Sequence, residues 1–162
     1  MSDRVAILNQ GRLVQEGPPA LLYETPRTRF VADFLGKSNF LQGMVAEGGA
    51  DRVILAAGGT RLRQAIPPGA PHPAHDRPML LSLRPEKIAL LNPDETADNM
   101  VEGRIASWSY LGAGFALSVE TQDLGTLRVT LPAWGAPIAP AEGLPVRLGW
   151  SSTASVPVEE DS

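Results

Sequence analysis

The sequence predicts a mainly β fold, a barrel or sandwich made from two copies of one β unit, behind a short β-β-α-α segment. Three observations carry this. From Asn39 onward the apolar runs are short, turn residues recur, and no ten-residue helical pattern is present. Three segments return in the same order further along the chain. Gly and Pro are frequent, 16 and 15 of 162 residues, so the chain turns often.

Residues 4–8 (Arg-Val-Ala-Ile-Leu) read as a buried strand, Asn9-Gln10-Gly11 as a turn and Arg12-Leu13-Val14-Gln15 as its partner, so 4–16 is a hairpin. Gly17-Pro18-Pro19 ends it. A prolyl start followed by Ala20, Leu21, Leu22 and Tyr23 suits a short helix, because proline is tolerated in the first turn. Pro26 stops that helix. Thr28 is placed to cap a second one, with Phe30, Val31, Phe34 and Leu35 on one apolar face and Gly36 as its C-terminal stop. Thirty-six residues bury too little surface for a core of their own.

The repeat sets the second part. Leu41-Gln42-Gly43-Met44-Val45 returns as Val101-Glu102-Gly103-Arg104-Ile105, and Gly59-Thr60-Arg61-Leu62 as Gly125-Thr126-Leu127. Pro78 to Arg84 returns as Pro145 to Ser151. The two copies span roughly 41–91 and 101–158. Pro67 to Pro78 holds prolines at 67, 68, 71, 73 and 78 and reads as a loop or linker. The acidic end, Val158 to Ser162, is expected to fray.

Composition narrows the function classes. A hydrophobic share of 43% with 20% charged residues is ordinary for a globular protein. Net charge −4 opposes a nucleic-acid partner, whose phosphates need a basic surface. Without Cys there is no disulfide, thiol nucleophile or cysteine metal cluster, which fits a reducing compartment. The apolar runs fall far short of the ~20 residues that span a bilayer, and Val5 to Leu8 is too short for a signal-peptide core. A soluble, cytoplasmic chain is expected.

No residue set supports catalysis. Gly36-Lys37-Ser38 mimics the end of a phosphate-binding loop, but Val31 stands where that loop needs Gly, and the triplet follows a helix rather than a strand. His72 and His75, with Asp76 nearby, lie in the proline-rich loop and read as solvated side chains, because a closed metal site needs about four ligands. Trp108 and Tyr110 alternate on one strand face, with Trp134 and Trp150 elsewhere. Half-buried core packing is the first reading, and a ligand-stacking wall is the alternative. Arg84 and Glu86 flank Pro85, where they either form a salt bridge within the turn or reach a neighbouring domain. Arg84, Glu86, Trp108 and Tyr110 are therefore the candidate interdomain or partner contacts.

Several segments resemble one family. Arg4-Val5-Ala6 behind Met1-Ser2-Asp3, then Asn9-Gln10-Gly11-Arg12 and Gln15-Glu16-Gly17-Pro18, are similar to the end of an ABC-transporter ATPase core. Tyr23-Glu24-Thr25-Pro26, Arg29 to Gly36 and Ser38-Asn39-Phe40 extend the likeness. Leu83-Arg84-Pro85-Glu86-Lys87-Ile88 resembles the Arg-Pro-Glu signature, and Ser109-Tyr110-Leu111-Gly112 the aromatic-Leu-Gly turn, of the transport-associated OB (TOBE) domain of importer ATPases. Residues 29–40 look most like the spermidine/putrescine branch. Pro18 departs from the family's usual Thr.

The resemblance implies two interleaved OB-like (TOBE/MOP-like) units over 37–158, with 1–36 the last hairpin and helices of a nucleotide-binding domain. It implies an accessory and regulatory role rather than an enzyme. No cofactor belongs to this chain, whereas ATP and Mg would belong to the complete subunit. The implied partners are the ATPase core, a second ATP-binding subunit in a dimer, and, indirectly, the membrane permease subunits. A small-molecule effector is a further implied partner. The place would be the cytoplasm, peripheral at the inner face of the plasma membrane. A small-anion-binding or nucleic-acid-binding OB-type domain is the alternative.

Overall fold

A computed structural model describes residues 4–70, 73–133 and 140–160. Strands β1 (Val5–Asn9) and β2 (Arg12–Gly17) form a hairpin closed by Gln10 and Gly11, both at positive φ (53° and 77°), as a tight two-residue turn requires. Helix α1 spans Pro19–Glu24 with proline at its start, and α2 spans Arg29–Phe34. The Thr28 hydroxyl accepts the Val31 N–H at 3.2 Å, the expected cap. Ile7, Leu22 and Val31 bury one another, with Val5, Val14, Phe30 and Leu35 packed around them. The segment thus builds a small core of its own, but β1 is not the buried strand expected: Ile7 alone of its residues is buried, because the hairpin is covered on one face only. Phe34 is the exception: it stays 62% exposed, stacked on Phe30 at 5.9 Å, because α2 turns Val31 and Ala32 inward instead.

The first copy supplies β3 (Asn39–Gly48), β4 (Arg52–Ala57), β5 (Thr60–Ala65), β6 (Pro78–Leu83), a 3-10 turn at Pro85–Lys87 and the two-residue β7 (Ala89–Leu90). The second supplies β8 (Asn99–Tyr110), β9 (Gly114–Thr121), β10 (Thr126–Pro132), β11 (Pro145–Trp150) and β12 (Ser155–Val158). They form two curled antiparallel sheets, β5-β4-β3-β6-β12 and β10-β9-β8-β11-β7. Each copy lends its last strand to the other: β7 pairs with β11, and β12 with β6. The duplicated, interleaved OB-like architecture is thereby realised.

One core joins the sheets. Leu41, Leu55, Leu81 and Leu83 from the first meet Ile105, Leu117, Val119, Leu148 and Trp150 from the second. The inside-out alternation that buries them is plain in β10, where Leu127, Val129 and Leu131 are buried and Arg128 and Thr130 exposed. The copies match in detail. Each long first strand bulges at the same place, between Val45 and Glu47 and between Ile105 and Ser107. Each crosses a neighbour at a glycine whose added Cβ would lie 2.9 Å (Gly43, Ala56 carbonyl) or 2.6 Å (Gly103, Glu120 carbonyl) from backbone oxygen.

The acidic end corrects its expectation. Arg29 N–H donates to the Glu159 carbonyl and Glu159 N–H to the Arg27 carbonyl, both at 2.9 Å, so 27–29 lies parallel beside the chain leaving β12. Arg29 also pairs with Glu160 at 3.1 Å. Val158 is buried at the end of β12, and residues 159 and 160 do not fray, because the edge they extend is covered. Residues 161 and 162 lie outside the described residues. No helix among the described residues is long and apolar enough to cross a membrane.

Candidate functional site

The 3-10 turn after β6 brings the Arg-Pro-Glu segment against both helices. The salt bridge between Arg84 and Glu86 does not form. Pro85 starts the turn with Arg84 still extended (φ −69°, ψ 140°), which sends the two side chains to different partners. Arg84 is 5% exposed and donates to the carbonyls of Ala32 (2.9 Å), Gly36 (2.8 Å) and Tyr23 (3.4 Å). Its guanidinium also lies 4.2 Å from the Tyr23 ring centroid. The Tyr23 hydroxyl donates to Glu86, and Lys87 pairs with Glu24 at 2.9 Å. Burial first, then the hydrogen bond to Glu86 and its negative charge, push the Tyr23 phenol up to about 12, with Arg84 opposing.

Gly36 suits the backbone turn that presents its carbonyl to Arg84. Its φ of +149° is one that side-chain-bearing residues rarely adopt, and a Cβ there would sit 3.6 Å from Arg84 Nη1. One further contact ties the hairpin to the chain between the helices, and another ties α2 to β3. The buried Gln15 donates to the Thr25 carbonyl (3.3 Å) and accepts from Arg27 N–H (3.0 Å). Arg29 stacks on Phe40, 4.6 Å from its centroid. Gln15 carried no sequence signal, because a polar residue in a strand is buried or exposed according to what folds over it.

Trp108 and Tyr110 lie far from Arg84 in sequence and belong to the tip of the β8–β9 hairpin. Core packing is corrected here. Trp108 is 44% and Tyr110 62% exposed, each meeting Phe115 edge-on at 5.9 and 5.5 Å. Their cross-strand partners are Leu117 and Phe115, so they share the face that is buried at Leu117 and opens towards the tip. Trp150 lies in the core at 3% exposure, and Trp134 is outside the described residues. In the proline-rich loop, His75 is exposed and 3.1 Å from Asp76, and His72 is outside the described residues. Among the described residues, no cluster of His, Asp and Glu is arranged to hold a metal.

A groove of about 720 Å³ opens on the outer face of the second sheet, with Glu102, Arg104, Glu120 and Arg147 along it. Arg147 stands opposite Glu102, and Arg104 opposite Glu120, across the strands. Neither pair closes into a salt bridge. Arg147 donates instead to the Asn92 and Pro93 carbonyls (3.0 and 3.1 Å), and Arg104 to that of Gly143 (3.4 Å).

Residues 81–156, from the middle of β6 into β12, match the model of the TOBE domain. The chain carries a TOBE domain over these residues. The chain is similar to polyamine-importer subunits: it is 42% identical over 128 residues to the spermidine/putrescine import ATP-binding protein PotA of Rubrobacter xylanophilus, covering 78% of this chain and 33% of that protein. It is 32% identical over 155 residues to the putrescine transport ATP-binding protein PotG of Escherichia coli, covering 83% and 38%. The chain therefore spans about a third of the length of these curated relatives. In fold it is similar to the cytoplasmic molybdate-binding protein ModG, with a TM-score of 0.62 over 72% of this chain and 92% of that one. At 12% identity that likeness is one of fold alone.

Proposed function

We propose that the chain is the accessory and regulatory part of an importer's ATP-binding subunit, of the polyamine-transport type. It would act through contacts and leave ATP and Mg to an ATPase core outside it. The observation that carries this is the Arg84 cluster, in which the TOBE domain's own signature residues grip the two helices in front of it. A sensing or bracing domain needs such a grip on its neighbour. The partners would be the ATPase core, a second ATP-binding subunit and, through them, the permease, at the inner face of the plasma membrane. Leu8 and Leu13 on the hairpin, with Leu21 and Phe34 on the helices, are each more than half exposed and are apolar area that contact with an ATPase core would bury. The polyamine assignment is supported by the likeness to PotA, a spermidine/putrescine import ATP-binding protein, and PotG, a putrescine transport ATP-binding protein.

Two measurements test this. The chain alone, titrated with Mg-ATP by calorimetry at about 100 µM, should show no saturable binding, since even a weak site is worth ~4–8 kcal/mol. Joined to an ATPase core of the same family, it should support polyamine uptake in a strain lacking its own subunit. ATP affinity in the chain alone, or uptake that is unchanged when the chain is removed, would overturn the proposal.

A second reading is small-anion binding, favoured by the ModG-like fold. The groove speaks against it, since its two Glu balance its two Arg and both guanidiniums are already held by carbonyls. Titration with molybdate or tungstate decides between the two.

A further inference from the structure

We infer that Arg84 is a positioning residue, the joint that locks helices α1 and α2 to the two-sheet body so that they move as one unit. Each helix ends in carbonyls without intrahelical partners and with partial negative charge. Tyr23 belongs to the last turn of α1, and Ala32 and Gly36 bracket the end of α2. A single guanidinium, rising from the end of β6, serves all three carbonyls. It is buried and, among the described residues, forms no salt bridge with a carboxylate, so the helix ends themselves supply the charge that offsets its desolvation.

The fit is specific to arginine. Three acceptors in different directions and an aromatic face require a planar fork, whereas a lysine ammonium is a point charge on a flexible stem. Around this centre lie the Tyr23–Glu86 hydrogen bond and the Lys87–Glu24 pair. A second attachment stands at the other end of α2, where Arg29 meets Glu159, Glu160 and Phe40. The helix is therefore held at both ends, by residues 84–87 and by 159–160. The inference deepens the importer-subunit proposal and rests on it only for what the joint would transmit, a displacement of the helices within the larger subunit.

Hydrogen exchange on the full 162-residue chain tests the joint without ATP or transport. Arg84→Gln should raise exchange of the amides in 19–36 by about tenfold or more and leave the protected amides of β3, β8 and β9 unchanged. Arg84→Lys, which keeps the charge, should fall between wild type and Arg84→Gln. If Arg84→Gln does not fold, the lysine variant alone should still show the local pattern at smaller amplitude. Unchanged exchange in 19–36 would overturn the inference, as would an equal rise across both sheets, because Arg84 would then be a core residue and nothing more. Should the subunit proposal fail while 19–36 loosens selectively, the joint stands and only its use is lost.

Discussion

Asn39 and Asn99 do the same work on opposite halves of the molecule. Each opens the first strand of its copy, is almost fully buried (5% and 1% exposed), and reaches across to the third strand of the other copy. Asn39 donates to the Arg128 carbonyl (2.9 Å) and accepts from Arg128 N–H (2.7 Å). Asn99 does so with Arg63, at 3.0 and 2.7 Å. A side-chain amide here imitates a strand, covering edges that would otherwise be open. Gln64 closes the first sheet in a related way, donating to the Ser155 carbonyl at 2.9 Å and accepting from the Ser155 hydroxyl.

Asn39→Ala and Asn99→Ala should each lower stability by about 2–4 kcal/mol, since each removes two hydrogen bonds and leaves a backbone donor and acceptor unsatisfied. Urea denaturation measures this. Asn92→Ala, whose side chain makes no such bridge, should change stability by less than ~0.5 kcal/mol. Equal effects at 39, 92 and 99 would refute the clamp.

Gly103→Ala should cost more than Gly43→Ala, and both about 1–3 kcal/mol, because the new methyl meets a neighbouring strand's carbonyl at 2.6 and 2.9 Å. At Gly48 an added Cβ meets nothing within 4 Å, so Gly48→Ala serves as the control in thermal unfolding. A reversed order would mean that the strands separate more easily than their packing implies.

Tyr23 makes the helix joint sensitive to strong alkali. Its folded phenol is raised to about 12 from an ordinary 10.0, so the protonated form favours the fold. That contribution is complete below about pH 10 and is lost as the pH rises towards 12. The chain has two tyrosines, so in Tyr110→Phe the phenolate absorbance near 295 nm reports Tyr23 alone. Its titration should complete well above that of free tyrosine, and Glu86→Gln should bring it down. A midpoint near 10 in the folded chain would contradict the pairing with Glu86.

Asp98 gives the opposite limb. The backbone N–H of Ser152, 2.9 Å from Oδ2, holds its carboxyl below the usual range, with Arg52 and Arg63 assisting. A depressed folded value stabilises above the unfolded value and is lost as pH falls through the folded one. Asp98→Asn should therefore lower stability at neutral pH and flatten its decline in acid. An unaltered acid limb in the variant would show that the carboxylate contributes nothing.

Local chemistry made some elements legible. The Gln10-Gly11 turn, the Thr28 cap and the glycine after α2 depend on residues within four positions of one another, and each formed where its sequence placed it. The two copies were visible because alternation repeats along the chain with the same glycines, Gly43 and Gly103, in step. Trp108 and Tyr110 were misplaced for the converse reason. Their alternation fits a buried face, but nothing within β8 tells whether that face remains covered as far as the tip.

By itself, then, the sequence determined the strand periods, the turns, the duplication and the family likeness, all of which depend on near neighbours or on comparing one stretch with another. Tertiary structure alone decided which polar group meets which. Arg84 finds carbonyls 48 to 61 residues away rather than Glu86 two residues on, and Asn39 finds Arg128 at a separation of 89. It also decided that β7 and β12 change places and that Glu159 is paired with 27–29. Apolar burial is non-directional and can be read from pattern. Hydrogen bonds need distance and angle, which exist only once both partners have been brought together.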